Sequence, residues 1–422
     1  GQVTTGKIVA AMKKMGFHKV FDTVQAADLT IMEESNEFIG RLTKGERLPH
    51  FTSCCPGWVK YAEQYHPELL DNLSTCRSPQ QMFGSIVKKF YAKEIGIDAK
   101  DMVMISIMPC TAKKGEAKRP EFATEGVPDV DIVLTTQELI AMIKESGIAF
   151  DQLDVESLDM PLGFGTGAGV IFGATGGVAE ATLRHAYEAV TQRALDHVAF
   201  EAVRGMEGIK EAVVDLDGTA VKVAVVHGLA RTNALIEKIQ SGEAEYHIIE
   251  VMACPGGCVG GGGQPVCHFD CRGARAKGLY DADKASTIRK SQDNPVVQGF
   301  YKKWLGEPNS HVAHEVLHTH YHPKRRISGE DIEVVKAPMA PVHVAVCVGT
   351  NCYLKGAYDT LTKVSHLVET KGLADKVKID ATFCCESCAG GPCVQVNGKT
   401  LGGMTPDRVD ELFKDHILPK LH

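Results

Sequence analysis

The chain lacks long apolar runs, an excess of positive charge and a leader-like beginning. No uninterrupted apolar stretch approaches the ~20 residues that a membrane-spanning helix needs, so we expect no membrane insertion. The first residues do not have the charged and apolar regions of a secretory signal peptide. The net charge of −7 gives no reason to expect nucleic acid or an anionic membrane as a partner. A chain of 422 residues with these properties is typical of a globular protein with two or three domains.

Cysteine is the residue that stands out, with 14 in the chain. In a short secreted protein, this number would indicate a disulfide framework. Here the cysteines cluster at turns rich in glycine and proline, in a long chain without a secretory signal. That context favours thiolate ligands in a reducing compartment, so we expect a cytoplasmic location.

Two α/β regions joined by a linker are predicted. In residues 1–323, helical segments separate apolar runs typical of strands, which are Val103–Ile107, Ile132–Leu134, Val223–Val226 and Ile248–Val251. Residues 324–341 are charged and contain prolines, which indicates a linker. Residues 342–422 have the order of a small thioredoxin-like α/β domain, in which a strand and a Cys-rich turn occur twice. A hairpin is expected at Asn397-Gly398.

Local signals also predict where two helices begin. Thr135 and Glu138 have the spacing of a capping box before an apolar periodic run. Ser78, Pro79 and Gln81 give an N-cap, a proline at the first helical position and a second capping box.

Three cysteine-containing segments of the first region predict a metal centre: Phe51–Trp58, Met108–Glu116 and Glu250–Pro265. Cys110 and Cys254 each follow a predicted strand, where the loops of an open α/β sheet gather ligands. Four consecutive glycines, Gly260–Gly263, let the backbone approach a bulky inorganic group closely. An iron–sulfur cluster binds four thiolates, which Cys54 or Cys55 could supply with Cys110, Cys254 and Cys258. Zinc is the alternative, although structural zinc usually takes two compact Cys/His pairs.

Together these segments resemble the TSCCPGW, MPCxxKxxE and ExMxCxxGCxxGGGQP signatures of FeFe-hydrogenases, in the same order. The similarity covers nearly all of residues 4–322. The resemblance implies an α/β H-cluster domain, with two mixed-sheet lobes flanked by helices and the cofactor between them. It also implies the H-cluster itself, a 4Fe-4S cluster joined to a di-iron unit that carries CO, cyanide and an amine dithiolate. The implied reaction is the reversible heterolytic cleavage of H2 into protons and electrons.

The resemblance assigns roles to individual residues. It implies that the 4Fe-4S ligands are Cys55, Cys110, Cys254 and Cys258, and that Cys258 bridges to the di-iron unit. Lys113 would donate a hydrogen bond to a cyanide, because an ammonium group is a strong donor to an anion. The remaining residues implied around the di-iron unit are Met108, Met252, Ser78, Gln80, Phe172 and Gly173.

A proton path is implied as well. Glu34, Glu37 and Arg41 lie on one face of the helix expected after Asp28-Leu-Thr30, and such a face is most often simply solvated. The resemblance implies instead a path that runs Cys54, Glu37, Ser74, Glu34, with Arg41 at its outer end. Cys54 would exchange a proton with the bridging amine, because a thiol pKa is accessible near neutrality.

Other cysteines of the first region have no implied role. Cys76 is expected to pack in the core. Cys267 and Cys271 have a spacing that could bind metal, but they match no ligand of the family, and we leave them unassigned.

The second region carries a CxxxxC and a CxxxC about thirty residues apart. These resemble the thioredoxin-like 2Fe-2S ferredoxin domain, and the first turn lacks the CxxC of a true thioredoxin. The implied ligands are Cys347, Cys352, Cys384 and Cys388. Cys385 and Cys393 have no implied role. A 2Fe-2S cluster moves single electrons, so this domain should act as an electron relay or docking adaptor.

An appended 2Fe-2S domain is common in catalytic subunits of multimeric, NAD(P)-linked, electron-bifurcating hydrogenases. The implied partners are ferredoxin and NAD(P)-linked flavoprotein or iron–sulfur subunits. Because typical members carry ferredoxin domains before the catalytic domain, further 4Fe-4S or 2Fe-2S clusters are expected in a part preceding Gly1. The chain is therefore expected to be a fragment of a longer protein.

Two other functions remain open. One is a hydrogenase-like H2 sensor, and such sensors tend to lose the cysteine equivalent to Cys54. The other is a non-catalytic iron–sulfur assembly protein, which lacks a donor like Lys113 and the complete glycine–glutamine segment. Because this sequence keeps all of these features, a catalytic hydrogenase is favoured.

Overall fold

The computed structural model describes residues 4–195, 199–267, 270–326, 342–382 and 390–421. Contacts divide the chain into two compact units, Gly1–Glu333 and Val334–His422. Within the described ranges, none of the helices combines the length and the apolar character needed to cross a bilayer.

The first unit contains helices and strands in alternation. Its helices are α1 (Thr5–Lys14), α2 (Val24–Lys44), α3 (Pro56–Tyr65), α4 (Pro79–Ile86), α5 (Ala92–Glu94), α6 (Ala112–Glu116), α7 (Thr136–Glu145), α8 (Gly167–Val170), α9 (Gly177–Thr191), α10 (Leu229–Gln240), α11 (Arg272–Ala285), α12 (Pro295–Phe300) and α13 (His311–Leu317). Its strands are β1 (His50–Phe51), β2 (Ile105–Met108), β3 (Ala123–Thr124), β4 (Val127–Pro128), β5 (Ile132–Thr135), β6 (Ile209–Leu216), β7 (Thr219–His227) and β8 (Ile248–Met252).

Two separate sheets form the framework of this unit. The larger has the order β1-β8-β7-β6, in which β1, β8 and β7 are parallel and β6 is antiparallel. The smaller pairs β2 with β5 in parallel. Every residue of β8 is buried, as expected for a parallel strand covered on both faces. The α/β fold class is confirmed, and each of the four predicted apolar runs contributes a strand.

The helix starts are confirmed, but only one of the predicted capping boxes forms. Thr135 and Glu138 exchange both capping hydrogen bonds at the start of α7. Helix α4 begins at Pro79 as predicted, yet the Ser78 side chain makes no capping bond and donates to Glu116 instead. Helix α2 begins at Val24, earlier than expected.

The second unit has one mixed sheet with helices. Its strands are β9 (Val342–Cys347), β10 (Val377–Thr382), β11 (Val394–Val396) and β12 (Lys399–Leu401), and its helices are α14 (Thr350–Leu354), α15 (Ala357–Thr370) and α16 (Val409–Leu412). The strand order is β10-β9-β11-β12, with β10 and β9 parallel. The predicted hairpin is confirmed: Asn397 and Gly398 join β11 to β12 with φ of 48° and 81°, the left-handed values that a type I′ turn needs.

A buried ion network ties α9 to α11. Arg184 is fully buried, and its guanidinium lies 2.7 Å from Glu180 Oε1 and 2.8 Å from Asp283 Oδ2. Arg204 pairs with the same Glu180 oxygen over 2.6 Å. Asp283 also pairs with Arg289 over 2.6 Å. Removal of Arg184 would leave each of the two buried carboxylates with one arginine in place of two, which is costly in a low-dielectric interior.

We expect Arg184→Met to lower the free energy of unfolding of the first unit by about 3–5 kcal/mol. Tryptophan fluorescence during chemical denaturation measures this, because both tryptophans, Trp58 and Trp304, lie in that unit. Arg193→Met is the matched control, since its ion pair with Asp217 is exposed and such pairs contribute little. Equal denaturation midpoints for the two variants would contradict the importance of the buried network.

Candidate metal centre

Three loops of the first unit meet at a cavity of ≈ 380 Å³. They follow the carboxyl ends of β1, β2 and β8, so the cavity lies between the two sheets, where open α/β sheets commonly bind ligands. Most of the predicted site residues line it: Cys54, Cys55, Gln80, Met108, Cys110, Lys113, Phe172, Gly173, Met252, Cys254 and Cys258.

Backbone pairing brings two of these loops together. The backbone N–H of Thr52 donates to Ile249 O over 3.0 Å, which extends the parallel pairing of β1 with β8. Farther along the same edge, the backbone N–H of Ala253 lies 3.4 Å from Cys55 Sγ and donates to it. Cys55 and Cys254 therefore face the same cavity although they are far apart in sequence.

The four cysteines Cys55, Cys110, Cys254 and Cys258, here called the cavity cysteines, are free thiols. Burial, followed by the charges of Cys55 and Cys110, raises the pKa of Cys258. Burial and the same two neighbours raise the pKa of Cys254. Four thiolates so close together need a cation to compensate their charge, and an iron–sulfur cluster provides one.

The spacing of the sulfurs argues against zinc. Sulfurs around a single tetrahedral zinc ion lie about 3.8 Å apart, given Zn–S bonds near 2.3 Å. Across the described ranges, the only three potential ligand atoms within 4.8 Å of one another belong to Glu37, Cys76 and His318. No three of the cavity cysteines are that close. Their separation suits a larger inorganic group, and a 4Fe-4S cube with its attached di-iron unit fits this donor set.

The glycine-rich segment packs directly on the Cys110 loop. A Cβ added at Gly261 would lie 2.0 Å from Pro109 O, and one at Gly263 would lie 2.9 Å from Cys110 N. The backbone N–H of Gly263 also donates to Pro109 O over 3.0 Å. Any side chain at these positions would push the two cysteine loops apart, which explains the need for glycine here.

Lys113 supplies a buried positive charge at the cavity wall. Its Nζ lies 2.9 Å from Glu116 Oε2 and 3.3 Å from Cys54 O. Burial alone would lower the pKa of Lys113, but the charge of Glu116 outweighs it, so the pKa is raised. The ammonium group therefore stays protonated and can donate to an anionic ligand in the cavity.

Glu116 was missed in the sequence, although it organises three of the predicted residues. The same Oε2 that binds Lys113 accepts from Ser78 Oγ over 2.9 Å and from Gln80 Nε2 over 3.2 Å. Ser78 was predicted to line the cavity, but its hydroxyl is turned to Glu116 and the residue is not part of the lining. The position of Glu116, three residues after Lys113 on α6, is the signal that could have revealed it.

The two acidic residues of α2 in the predicted proton path, Glu34 and Glu37, have different neighbours. Arg41 Nη2 donates to Glu37 Oε1 over 2.7 Å, and Ser74 Oγ donates to Glu37 Oε2 over 2.8 Å. Burial raises the pKa of the Cys54 thiol, and the charge of Glu34 raises it further. This effect indicates that Glu34 lies near Cys54. These contacts place Ser74 and Arg41 beside Glu37 and favour Glu34 as the glutamate nearer to Cys54, whereas the predicted path Cys54, Glu37, Ser74, Glu34 stays a prediction. Since residues rise about 1.5 Å each along a helix, Glu37 must lie between Glu34 and Arg41.

The two glutamates have different surroundings. Burial would raise the pKa of Glu37, but His50, Arg41 and a hydrogen bond from Ser74 together lower it. Both carboxylate oxygens of Glu34 are buried and have no hydrogen-bond partner among the described residues. Glu37 is thus held ionised by fixed donors, whereas Glu34 Oε1 makes a long contact of 3.8 Å with His50 Nε2.

Cys76 was expected to pack in the core, and it is fully buried in an apolar cluster. Its Sγ also lies 3.9 Å from Glu37 Oε2 and 4.0 Å from His318 Nδ1. Cys76 therefore lies beside Glu37 and outside the cavity lining.

In the second unit, two predicted 2Fe-2S ligands lie side by side. Burial and a hydrogen bond with Cys347 raise the pKa of Cys352 to about 11. The backbone of Cys393, which was left over in the sequence, accepts a hydrogen bond from the Cys347 N–H over 2.9 Å. The other two predicted ligands, Cys384 and Cys388, lie outside the described residues, as does Cys385.

Cys267 and Cys271, left unassigned in the sequence, form a disulfide bond. Their sulfurs are bonded to each other and are not offered to a metal.

We expect Cys254→Ala to abolish assembly of the 4Fe-4S cluster in the first unit, because a cube needs four thiolates. After anaerobic reconstitution, iron and acid-labile sulfide per chain should fall, while the 2Fe-2S absorption of the second unit persists. Cys76→Ala removes a thiol that does not face the cavity and serves as the control. Iron loss equal in both variants would contradict the assignment of the cavity cysteines.

Comparison with known families agrees with this geometry along most of the chain. The model described as iron only hydrogenase large subunit, C-terminal domain, matches residues 1–262. The model of the iron hydrogenase small subunit matches residues 269–324. The model of the thioredoxin-like 2Fe-2S ferredoxin matches residues 334–416.

Similar proteins include hydrogenases and an assembly factor. The NADP-reducing hydrogenase subunit HndD of Solidesulfovibrio fructosivorans is 50% identical over 335 residues, 78% of this chain and 57% of that protein. The chain therefore spans little more than half the length of this relative. The cytosolic Fe-S cluster assembly factor narfl of Xenopus tropicalis is 33% identical over 78% of this chain and 71% of that protein.

A solved structure shares the fold of the first unit. It is an apo FeFe-hydrogenase HydA1 from Chlamydomonas reinhardtii, 42% identical, with a TM-score of 0.68 over 76% of this chain and 88% of that chain. The family models, the relatives and this shared fold show that the chain belongs to the iron-only, or FeFe, hydrogenase family, with a thioredoxin-like 2Fe-2S ferredoxin domain after the hydrogenase domain.

Proposed function

We propose that the chain is the catalytic part of an FeFe-hydrogenase that interconverts H2 with protons and electrons. The observation that carries this proposal is the composition of one cavity. It is lined by four free thiols suited to an iron–sulfur cube, by a fifth thiol and by a buried ammonium group. Thiolate ligation, a proton carrier and a donor to anionic ligands are the functions that this chemistry requires from the protein.

The cavity cysteines would hold the 4Fe-4S cluster, and Cys258 would bridge to the di-iron unit. When bound, the H-cluster supplies the heterolytic cleavage of H2. Met108, Met252 and Phe172 give the cavity an apolar wall, which keeps bulk water away from the reacting centre.

Lys113 and Glu116 together orient the anionic part of the cofactor. Glu116 fixes the Lys113 ammonium group through a 2.9 Å ion pair, and a second N–H donates to Cys54 O, which leaves the third donor for an anionic ligand such as cyanide. We assign Glu116 as a positioning residue, because it acts through Lys113, Ser78 and Gln80.

Protons would leave through Cys54 and then through four polar residues, here called the proton row: Glu34, Ser74, Glu37 and Arg41. Burial and the Glu34 charge raise the pKa of Cys54 and keep the thiol protonated. From there Glu34, Ser74 and Glu37 lead toward Arg41, a residue that is 7% exposed. Hydrogen bonds join Ser74 to Glu37 and Glu37 to Arg41, and water would fill the gaps on either side of Glu34, so that a proton moves between groups within hydrogen-bond reach.

Electrons would pass through the 2Fe-2S cluster of residues 342–422, held by Cys347, Cys352, Cys384 and Cys388. The hydrogenase domain and the linker would cover residues 1–323 and 324–341. The name of the HndD relative, a subunit of an NADP-reducing hydrogenase, supports an NAD(P)-linked complex of several subunits. We propose in addition that this complex is cytoplasmic and electron-bifurcating. Its other members would be ferredoxin and flavoprotein or iron–sulfur subunits with further clusters.

A second candidate is iron–sulfur assembly without H2 chemistry. The 33% identity to an assembly factor, most of whose length the chain covers, favours it. The cavity distinguishes the two functions, because a 4Fe-4S carrier has no use for the Cys54 thiol or for the paired Lys113 ammonium group.

Infrared spectroscopy separates these candidates. We expect the protein, produced anaerobically with hydrogenase maturation proteins, to show the stretching bands of CO and cyanide, which ordinary iron–sulfur clusters lack. Protein produced without the maturation proteins is the control and should show none. If fully iron-loaded, matured protein lacks these bands, the hydrogenase proposal fails and the assembly function gains support.

We expect Cys54→Ser to reduce H2 turnover by about 10²- to 10⁴-fold, because the hydroxyl is a much weaker acid than the thiol. Iron content and infrared bands should persist, since Cys54 is not one of the cavity cysteines. Cys76→Ser is the matched control, being another buried cysteine outside the cavity lining, and it should keep most of the activity. Full turnover by the Cys54 variant would rule out this proton exit.

A further inference from the structure

The Cys267–Cys271 disulfide lies on the segment that joins the glycine-rich loop to α11. Both cysteines are only partly buried, so a thiol reagent can reach them. Cys271 is the N-cap residue of α11, and its carbonyl accepts the Arg275 N–H over 3.0 Å. The metal centre and the proton row described above make no use of this bond.

One arginine connects the disulfide to the loop of the metal centre. Arg275 Nη1 donates to Val259 O over 3.0 Å, and Nη2 donates to Pro265 O over 2.8 Å. The same Nη2 lies 3.2 Å from Cys267 Sγ. Because Val259 directly follows Cys258, the disulfide, the guanidinium group and a ligand-bearing loop form one hydrogen-bonded unit.

After reduction, each of the two sulfurs would lie where a thiolate is stabilised. Cys267 is beside the Arg275 guanidinium group, and Cys271 is at the N-terminus of a 14-residue helix. The nearby Asp270 carboxylate is balanced by its ion pair with Arg272. Stabilisation of the reduced form makes a disulfide a better oxidant and easier to exchange.

We propose that Cys267 and Cys271 form a reversible thiol–disulfide exchange site whose substrate is a dithiol reductant. A thiolate of the reductant attacks one sulfur, the S–S bond breaks, and the other cysteine leaves as a thiolate. The second thiol of the reductant then resolves the mixed disulfide. Two electrons and two protons pass to the pair, and the reductant is released as its own disulfide. Reduction removes a covalent closure next to Arg275 and loosens the loop that follows Cys258.

A redox titration of the purified holoprotein tests the exchange. The protein is equilibrated anaerobically at a series of reduced-to-oxidised dithiothreitol ratios, its free thiols are alkylated, and it is cleaved on the amino side of aspartate. Because Asp270 lies between the two cysteines, the two fragments stay joined only through the disulfide. We expect joined fragments to convert fully and reversibly into two alkylated ones.

Three results would overturn the exchange site. Fragments that stay joined at every ratio indicate a purely structural bond. Fragments that are never joined show that no disulfide forms. Thiols that become reactive only after a zinc chelator is added indicate a metal site.

The link to Arg275 has its own test. Arg275→Gln should shift the titration midpoint toward more reducing conditions, because the thiolate loses its cation, whereas Arg275→Lys keeps a positive charge and should shift it less. Hydrogen exchange of residues 259–266 should rise on reduction. It should be high at every ratio in the double variant Cys267→Ser, Cys271→Ser. Unchanged midpoints, or equal exchange in both redox forms, would contradict the proposed link to the metal centre.

Discussion

The parallel pairing of β1 with β8 determines where both halves of the site lie. Strand β1 has only two residues, yet Phe51 has a neighbour on each side. It pairs with Ile249 in β8, and its carbonyl accepts the Ser74 N–H over 2.7 Å. The pairing with β8 leads directly to the thiols of Cys54 and Cys55, and the bond to Ser74 fixes the serine that donates to Glu37. A shift of one residue would turn alternate side chains to the opposite face and remove the thiols from the cavity.

The signature residues divide into those that face the cavity and those that hold the loops in place. Glu250 belongs to the second kind: it is fully buried, and its carboxylate accepts the backbone N–H groups of Gly176 and Ala179 at the start of α9. Glu116 has the same role beneath Lys113. A carboxylate at a helix N-terminus or under an ammonium group is a strong, directional anchor. The precision of the cavity therefore depends on buried carboxyl groups that lie outside its lining.

The sequence was sufficient for features set by local chemistry. The apolar runs, the Thr135 capping box and the Asn397-Gly398 hairpin are each specified by a few neighbouring residues. Features that depend on distant partners could not be predicted in this way. The Ser78 hydroxyl could accept an N–H at the start of α4 or donate to a distant acceptor, and only the fold places the Glu116 carboxylate within its reach. The relative positions of Glu34 and Glu37 could have been predicted from the sequence alone, because the rise along a helix places Glu37 closer than Glu34 to Arg41.

Membership of this family does not by itself determine the reaction, since hydrogenases and an assembly factor both resemble the chain. A common fold provides the same loops and the same cysteine positions, and function then depends on the few side chains added around them. An iron–sulfur carrier needs only ligands and shielding. Three features place a charge or an ionisable group in a buried region, where unpaired charges destabilise the fold. They are the Cys54 thiol, the proton row and the Lys113–Glu116 ion pair. Because stability alone would favour apolar residues at these positions, their combination supports the proposed reaction, which moves protons beside an anionic cofactor.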